Sequence, residues 1–268
     1  MTGSSARPSG APTGKPRQRP TAKRSLTSHS PITMHTDAAA AQQVIEQSAN
    51  GLLAELAVHE RNAIHRASEV RSYGAGDVLV SANGLNRLAL FPITALVAVG
   101  RPLRDGRSMA AGLIGSEGML GMDLILQTEQ AGQAVVQCAG FVYCMPAEDL
   151  RHHFDGTIRL QKSILRFAHT FLGQVSQNAV CGRFHNLKQR MAKWLLMVDE
   201  RSGRIETGKS KALLAGALGA DEREIESAMG QLANAGAIRH RGGTIAIERD
   251  ALEPNACECY ETVRIGRA

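Results

Sequence analysis

The first chemistry to consider in this chain is that of its sulfur. Cys257-x-Cys259 offers two thiolates, and Cys181 with His185 has the i, i+4 spacing that puts two donors on one helix face. Together these four would satisfy the ligand count of tetrahedral zinc or of an iron–sulfur centre; alternatively, they are packed interior residues. Cys138 and Cys144 lie on a β segment, where their even spacing gives them one face, and they read as core. Five cysteines form no secreted-type framework, which fits a reducing, cytoplasmic setting. On this reading neither a metal nor any other cofactor is expected. The nine histidines are scattered, with none in a nucleophile motif. No Walker or dinucleotide-binding glycine pattern appears either, so an enzyme is not expected.

A second group of residues could recognise an acidic partner. Lys209, Lys211, Arg223, Arg239, His240 and Arg241 are bases able to approach phosphates, with Arg183, Lys188 and Arg190 ahead of them. Among them stands the acidic string Asp221-Glu222-Arg223-Glu224-Ile225-Glu226-Ser227. Asp221 has the character of a helix N-cap and Glu224, three residues on, completes a capping box. Glu222 and Glu226 have no such duty and should face outward; a carboxylate there could accept a hydrogen bond from cytosine N4. Arg223 is either a base-reading cation or an i, i+3 partner for Glu226 on a solvated face.

These residues need particular elements to hold them. Ser210 to Leu218 reads as a short helix, Gly219-Ala220 as a tight turn, and Asp221 to Ala235 as a helix whose Ile225, Ala228, Met229 and Leu232 share one face. Two β segments, Ala237–His240 and Thr244–Glu248, flank the turn Arg241-Gly242-Gly243. That order is the outline of a winged helix-turn-helix. Upstream, Ala38 to Ala67 reads as two short helices broken at Asn50-Gly51. From Tyr73 to Pro146 the chain reads as short strands (Asp77–Val80, Leu88–Val99, Ser108–Ile114, Ala134–Pro146), with a hairpin at Arg104-Asp105-Gly106-Arg107. No helices of βαβ length intervene, so the fold class is α+β with an antiparallel roll or small barrel.

Between these regions Leu160, Ile164, Leu165, Ala168, Phe171, Leu172, Val175 and Ala179 step by three and four, predicting a helix of about 30 Å. A break is expected near Cys181-Gly182, before a second helix carrying Leu187, Met191, Trp194, Leu195 and Val198. Two apolar positions per turn exceed what covering one small barrel requires. Ile164, Leu165, Ala168, Phe171, Leu172 and Val175 are therefore the expected dimerisation residues, although a helix lying flat on its own barrel would show the same pattern.

Composition suits one large or two ordinary folded units, with a tail. Of 268 residues 43% are apolar, enough to bury sizeable cores. The formal charge of +6 arises wholly in residues 1–35, which hold six bases and no acid; 25 bases and 25 acids remain from 36 onward. That segment is rich in Ser, Thr, Pro and Gly and is expected to be a disordered basic tail, a solubilising arm or a weak counterion-release contact to nucleic acid. No run of 18 apolar residues suggests a membrane span. The expected division is a tail over 1–37, a β-roll over 38–156, a dimer helix over 157–182 and a winged helix-turn-helix over 183–268.

Five strings in order are similar to the cyclic-AMP receptor and fumarate-nitrate regulator (Crp/Fnr) superfamily of bacterial transcription factors. They are Leu90-Phe91-Pro92, Asp105-Gly106-Arg107-Ser108, Gly115-Ser116-Glu117-Gly118-Met119-Leu120-Gly121, Cys181 to Asn186 leading into Arg190 to Met197, and Ala256-Cys257-Glu258-Cys259-Tyr260. The resemblance, running from about Leu52 to Tyr260, implies a cyclic-nucleotide-binding type β-roll, a long dimer helix and a DNA-reading domain. It implies a homodimer on a pseudo-palindromic duplex operator, with a contact to RNA polymerase as an added expectation. Members that bind cyclic nucleotides hold the ribose with a Glu and the phosphate with an Arg. Here Glu117 and Gly118 are present, but the position similar to the Arg is Gln133, and no Lys or Arg occurs from Ser108 to Leu150. These three mark the effector pocket, and the effector is expected to lie outside the cyclic nucleotides. Iron–sulfur members carry their cysteines near the amino terminus, whereas this chain has none before Cys138. The acidity of residues 221–226 favours an alternative: a protein on the same fold that no longer binds DNA and acts through protein contacts or heterodimers.

Overall fold

The computed structural model describes residues 50–264 except 83, 85, 130, 131, 203, 204, 207–209, 242 and 243; for 205, 206, 210, 240 and 241 it describes the backbone. The expected tail over 1–37, the first helix expected after Ala38, Lys209 and the Gly242-Gly243 turn lie outside the described residues.

The chain enters through α1 (Gly51–Ala54) and α2 (Val58–Arg66). Asn50, expected only as a breaker, has a structural task. Its Oδ1 accepts from Leu53 N–H at 3.2 Å as the N-cap of α1, and its Nδ2 donates to the Pro92 and Gly118 carbonyls at 2.9 and 2.8 Å. A fully buried amide is tolerated because each of these polar atoms finds a partner.

Two antiparallel sheets follow. One orders β1 (Glu69–Tyr73), β7 (Gly140–Pro146) and β3 (Leu88–Pro92); the other orders β2 (Val78–Val80), β6 (Gln133–Cys138), β4 (Leu96–Pro102) and β5 (Ser108–Ile114). The expected hairpin forms between β4 and β5: Leu103 N–H donates to the Arg107 carbonyl at 2.7 Å, and Gly106 supplies φ 87°. Two predicted runs are each two strands. Leu88–Val99 breaks at Ile93-Thr94, whose N–H groups turn to the Phe141 carbonyl, while Thr94 Oγ1 accepts from Phe141 N–H at 2.9 Å. Ala134–Pro146 breaks at Ala139, and a Cβ on Gly140 would lie 2.3 Å from Ala95 N, so only glycine lets the strands approach there. Strand β1, largely exposed, and the helices α3 (Met122–Leu126) and α4 (Ala147–Gly156) were not anticipated. Each helix buries one leucine, Leu124 or Leu150, too little to mark a period.

The long helix α5 spans Ile158–Phe184 without the expected break at Cys181-Gly182. Helical geometry ends instead at His185, whose φ −114° and ψ 144° are extended and whose N–H still reaches the Cys181 carbonyl at 3.1 Å. Helix α6 (Leu187–Ser202) follows, buried continuously from Met191 to Val198.

Two apolar cores result. The first fills the roll with Leu53, Phe91, Val97, Met119, Met145 and Leu150 and takes in Leu160 and Ile164 of α5. The second is shared: Ala98, Ala110 and Leu113 of the β4–β5 sheet pack with Trp194, Leu195, Leu214, Ile225 and Leu232 from the carboxy-terminal helices. That continuity explains why α6 has no solvent face.

Candidate nucleic-acid interface

The carboxy-terminal region is built from α7 (Ser210–Leu218) and α8 (Glu222–Asn234), joined through Gly219 at φ 64°. Gly236, at φ 70°, follows α8 before β9 (Ile238–Arg241). Strand β9 pairs antiparallel with β10 (Thr244–Ile247) from Ile238↔Ile247 to Arg241↔Thr244, forming a wing. Strand β8 (Ile205–Glu206), not foreseen, adds to the other edge of β10.

Helix α8 starts as its sequence dictates. Asp221 Oδ1 accepts from the N–H groups of Arg223 and Glu224, each at 2.9 Å, and Glu224 Oε2 accepts from Asp221 N–H at 2.9 Å. Two of the four acids are thereby occupied in the cap, which also complements the helix dipole. Ile225, Ala228, Met229 and Leu232 face the core, leaving Glu222, Arg223, Glu226 and Ser227 exposed on the opposite face. Glu226 takes its cation from α7: Lys211 Nζ lies 2.7 Å from Glu226 Oε1 and holds that carboxyl below its usual range. Arg223 therefore does not serve as its i, i+3 partner, and its guanidinium makes no ion pair among the described residues. Ser227 Oγ accepts from Gln231 Nε2 at 3.5 Å. On the wing Arg239 pairs with Glu248, and His240 and Arg241 occupy the rest of β9. Of the bases ahead of the domain, Arg190 donates to the Leu218 carbonyl and so caps α7.

The residues expected to mark an effector pocket are not brought together. Glu117 lines a cleft of about 710 Å³ with Arg166, Phe171, Gln174, Arg201 and Arg264, whereas Gln133 lines a separate one of about 280 Å³ with Gly100, Met109 and Gly216. Arg201 Nε donates to Glu117 Oε1 at 2.9 Å from an almost fully buried side chain. This partner stands 84 residues away on α6, and no local pattern could have named it. Gly118 lies under the Phe167 ring, where a Cβ would come within 2.1 Å of a ring carbon.

The expected dimerisation residues divide between two faces of α5. Ile164 is buried in the roll, and Phe171 stacks on Phe167 with centroids 5.9 Å apart, so neither belongs to an outward face. Leu165 and Leu172 are 65% and 62% exposed, and half-buried Ala168 and Val175 continue the same seam. The sequence pattern sums an inner and an outer stripe.

The two donor pairs, Cys181 with His185 and Cys257 with Cys259, converge. One donor atom from each of Cys181, His185, Cys257 and Cys259 lies within 4.8 Å of all the others. A hydrogen bond from Cys257 and the nearby Lys193 ammonium hold the Cys181 thiol below its usual range.

Comparison with known proteins agrees with this architecture. Residues 189–254 match the model of the Crp-like helix-turn-helix domain. No curated protein matches the sequence. Among solved structures, a CRP/FNR-family transcriptional regulator from Thermus thermophilus superposes with TM-score 0.56 at 22% identity, over 70% of this chain and 98% of its own. FixK2 from Bradyrhizobium japonicum gives 0.60 at 16% over 71% and 98%. CLP of Xanthomonas campestris, a c-di-GMP responsive global regulator, gives 0.58 at 16% over 71% and 99%. A Crp-like helix-turn-helix thus closes a chain that has the fold of the CRP/FNR transcriptional regulators.

Proposed function

We propose that this protein is a homodimeric, sequence-specific DNA-binding regulator of transcription. The observation that carries the reading is the exposed start of α8, whose first two turns present Glu222, Arg223, Glu226 and Ser227 on a helix closed by a complete capping box, beside a wing bearing Arg239, His240 and Arg241. The match of residues 189–254 to a Crp-like helix-turn-helix supports it. In that fold the N-terminal residues of the second helix meet base edges, and wing and flanking bases hold phosphates. The Leu165, Ala168, Leu172 and Val175 seam is the dimer contact. Two copies joined there present two reading helices, which calls for a pseudo-palindromic site.

The effector lies outside the cyclic nucleotides. A buried cyclic phosphate needs a cation, and Gln133 supplies none; Glu117 is already held by Arg201, and the Phe167 ring covers Gly118. One observation favours the alternative of a protein-contact regulator: the acids on α8 outnumber its single base, and one of them ties up Lys211. Selection of bound sequences from random duplexes with the full chain separates the two readings. Recovery of a two-fold motif whose affinity falls with salt supports DNA reading. No enrichment at low salt, with a DNA-competent relative co-purifying, supports the alternative.

A further inference from the structure

We propose that Cys181, His185, Cys257 and Cys259 bind one tetrahedral divalent metal ion, zinc by the chemistry of the donor set, at the junction of α5 with the carboxy-terminal segment. The assignment is independent of the DNA-binding reading. Its first support is distance. With metal–sulfur bonds of about 2.3 Å and metal–nitrogen bonds of about 2.0 Å, a tetrahedral site has S···S edges near 3.8 Å and S···N edges near 3.5 Å. Cys181 Sγ and Cys257 Sγ are 3.5 Å apart, Cys259 Sγ and His185 Nδ1 are 3.5 Å apart, and all four donors fall within 4.8 Å. An iron–sulfur cluster distributes its ligands over separate irons and would hold these donors farther apart. Nor are the thiols paired as disulfides: all five cysteines are free, and a bond would need the sulfurs at about 2.05 Å.

The second support is where the thiols are buried. Cys181, Cys257 and Cys259 are each almost fully inaccessible, yet they pack with one another and belong to neither apolar core. Burial among other thiols is poorly explained by apolar packing, which would use larger side chains, and is what a metal site requires.

The third is the set of contacts around the four donors. Glu258 Oε1 lies 3.2 Å from His185 Nε2, so the carboxylate fixes the tautomer with the proton on Nε2 and leaves the Nδ1 lone pair directed at the sulfurs. Gln177 Nε2 donates to Cys259 Sγ at 2.9 Å, a bond that stabilises a thiolate. Three thiolates, one imidazole and a divalent ion carry a net charge of −1. Lys193, buried beside Cys181 and donating to Asn178 Oδ1 at 2.5 Å, supplies the balancing charge.

Position then says what the ion does. Cys181 closes the last turns of α5, His185 is the extended residue that ends it, and Cys257 and Cys259 lead into α9 (Cys259–Val263). The metal cross-links residues 72 or more apart in sequence, clamping the end of the dimer helix to the segment that follows the wing. It is a structural clamp, because all four positions are filled by protein and none is open to a reacting water.

The test is elemental analysis of the full chain, purified without an affinity tag from zinc-supplemented medium. Zinc equimolar with the chain, without acid-labile sulfide, is expected. Cys257→Ser with Cys259→Ser should reduce it to background, and Cys144→Ser should leave it unchanged. Should the double variant fail to fold, stripped wild-type protein titrated with cobalt must show the intense thiolate charge-transfer band and visible spectrum of tetrahedral cobalt. Glu258→Gln, at a positioning residue, should weaken cobalt binding by about ten- to a hundredfold without changing that spectrum. Zinc retained in the double variant, iron with sulfide, a Cys181–Cys257 disulfide in metal-free protein, or a cobalt spectrum lacking thiolate character would each overturn the assignment.

Discussion

The proposed dimer seam on α5 is the feature whose energetics can be worked most directly from the structure, and replacing Leu165 and Leu172 together by Glu should abolish self-association. Burying a leucine fully is worth about 1.5–3 kcal/mol, and these two are 65% and 62% exposed in the single chain. Closing a symmetric contact over both therefore contributes about 1–2 kcal/mol per side chain, or roughly 4–8 kcal/mol over the four leucines of two chains. Losing that much weakens association by about three to six orders of magnitude, before the added repulsion between facing carboxylates is counted. Sedimentation over a concentration series reads the change directly, with Leu126→Glu as a control on an exposed leucine away from α5. The unmutated chain and the control should sediment as dimers and the double variant as a monomer with an unchanged circular dichroism spectrum. A double variant that remains dimeric at micromolar concentration, or an unmutated chain that is monomeric at tens of micromolar, refutes the seam.

Further outcomes follow from individual contacts. Arg223→Ala should remove discrimination at one operator position, a loss of about 1–3 kcal/mol in a competition titration against single-base variants. Glu226→Gln releases Lys211 and removes a charge from the α8 face, so affinity for specific and scrambled duplexes should rise by a similar factor; a loss confined to the specific duplex would mean that Glu226 reads cytosine. Asp221→Ala deletes both side-chain bonds of the N-cap and should cost about 1 kcal/mol by denaturant titration, with Asp221→Asn recovering most of it. Glu117→Ala removes the carboxylate partner of the buried Arg201 guanidinium, which keeps its bond to the Met197 carbonyl, and should destabilise the fold by about 1–3 kcal/mol. Equilibrium dialysis of the unmutated chain should show no binding of cyclic AMP or cyclic GMP at micromolar concentration.

What the sequence revealed and what it concealed differ by the range of the interaction involved. The capping box at Asp221 and Glu224, the Gly219 turn, the wing and the β4–β5 hairpin at Gly106 were legible because each depends on residues within a few positions of one another. The same locality explains the errors. Leu88–Val99 and Ala134–Pro146 look continuous because the break in each is made by the other, through Thr94 and Phe141, 47 residues apart. A helix covered on two faces presents one merged stripe, so Ile164 and Leu172 could not be assigned to different neighbours until β-roll and solvent were both in view. The candidate residues followed the same rule. Arg223 was legible as a candidate because a helix start marks its position, whereas Arg201 opposite Glu117 and Lys211 opposite Glu226 are products of packing between elements. Cys181 and His185 were recognisable as a pair by helical spacing, and Cys257 and Cys259 by proximity. Each pair alone has a bland explanation in the core. Only the fold brings four donors to one point, and it supplies Glu258, Gln177 and Lys193 around them, turning two ambiguous pairs into a coordination site.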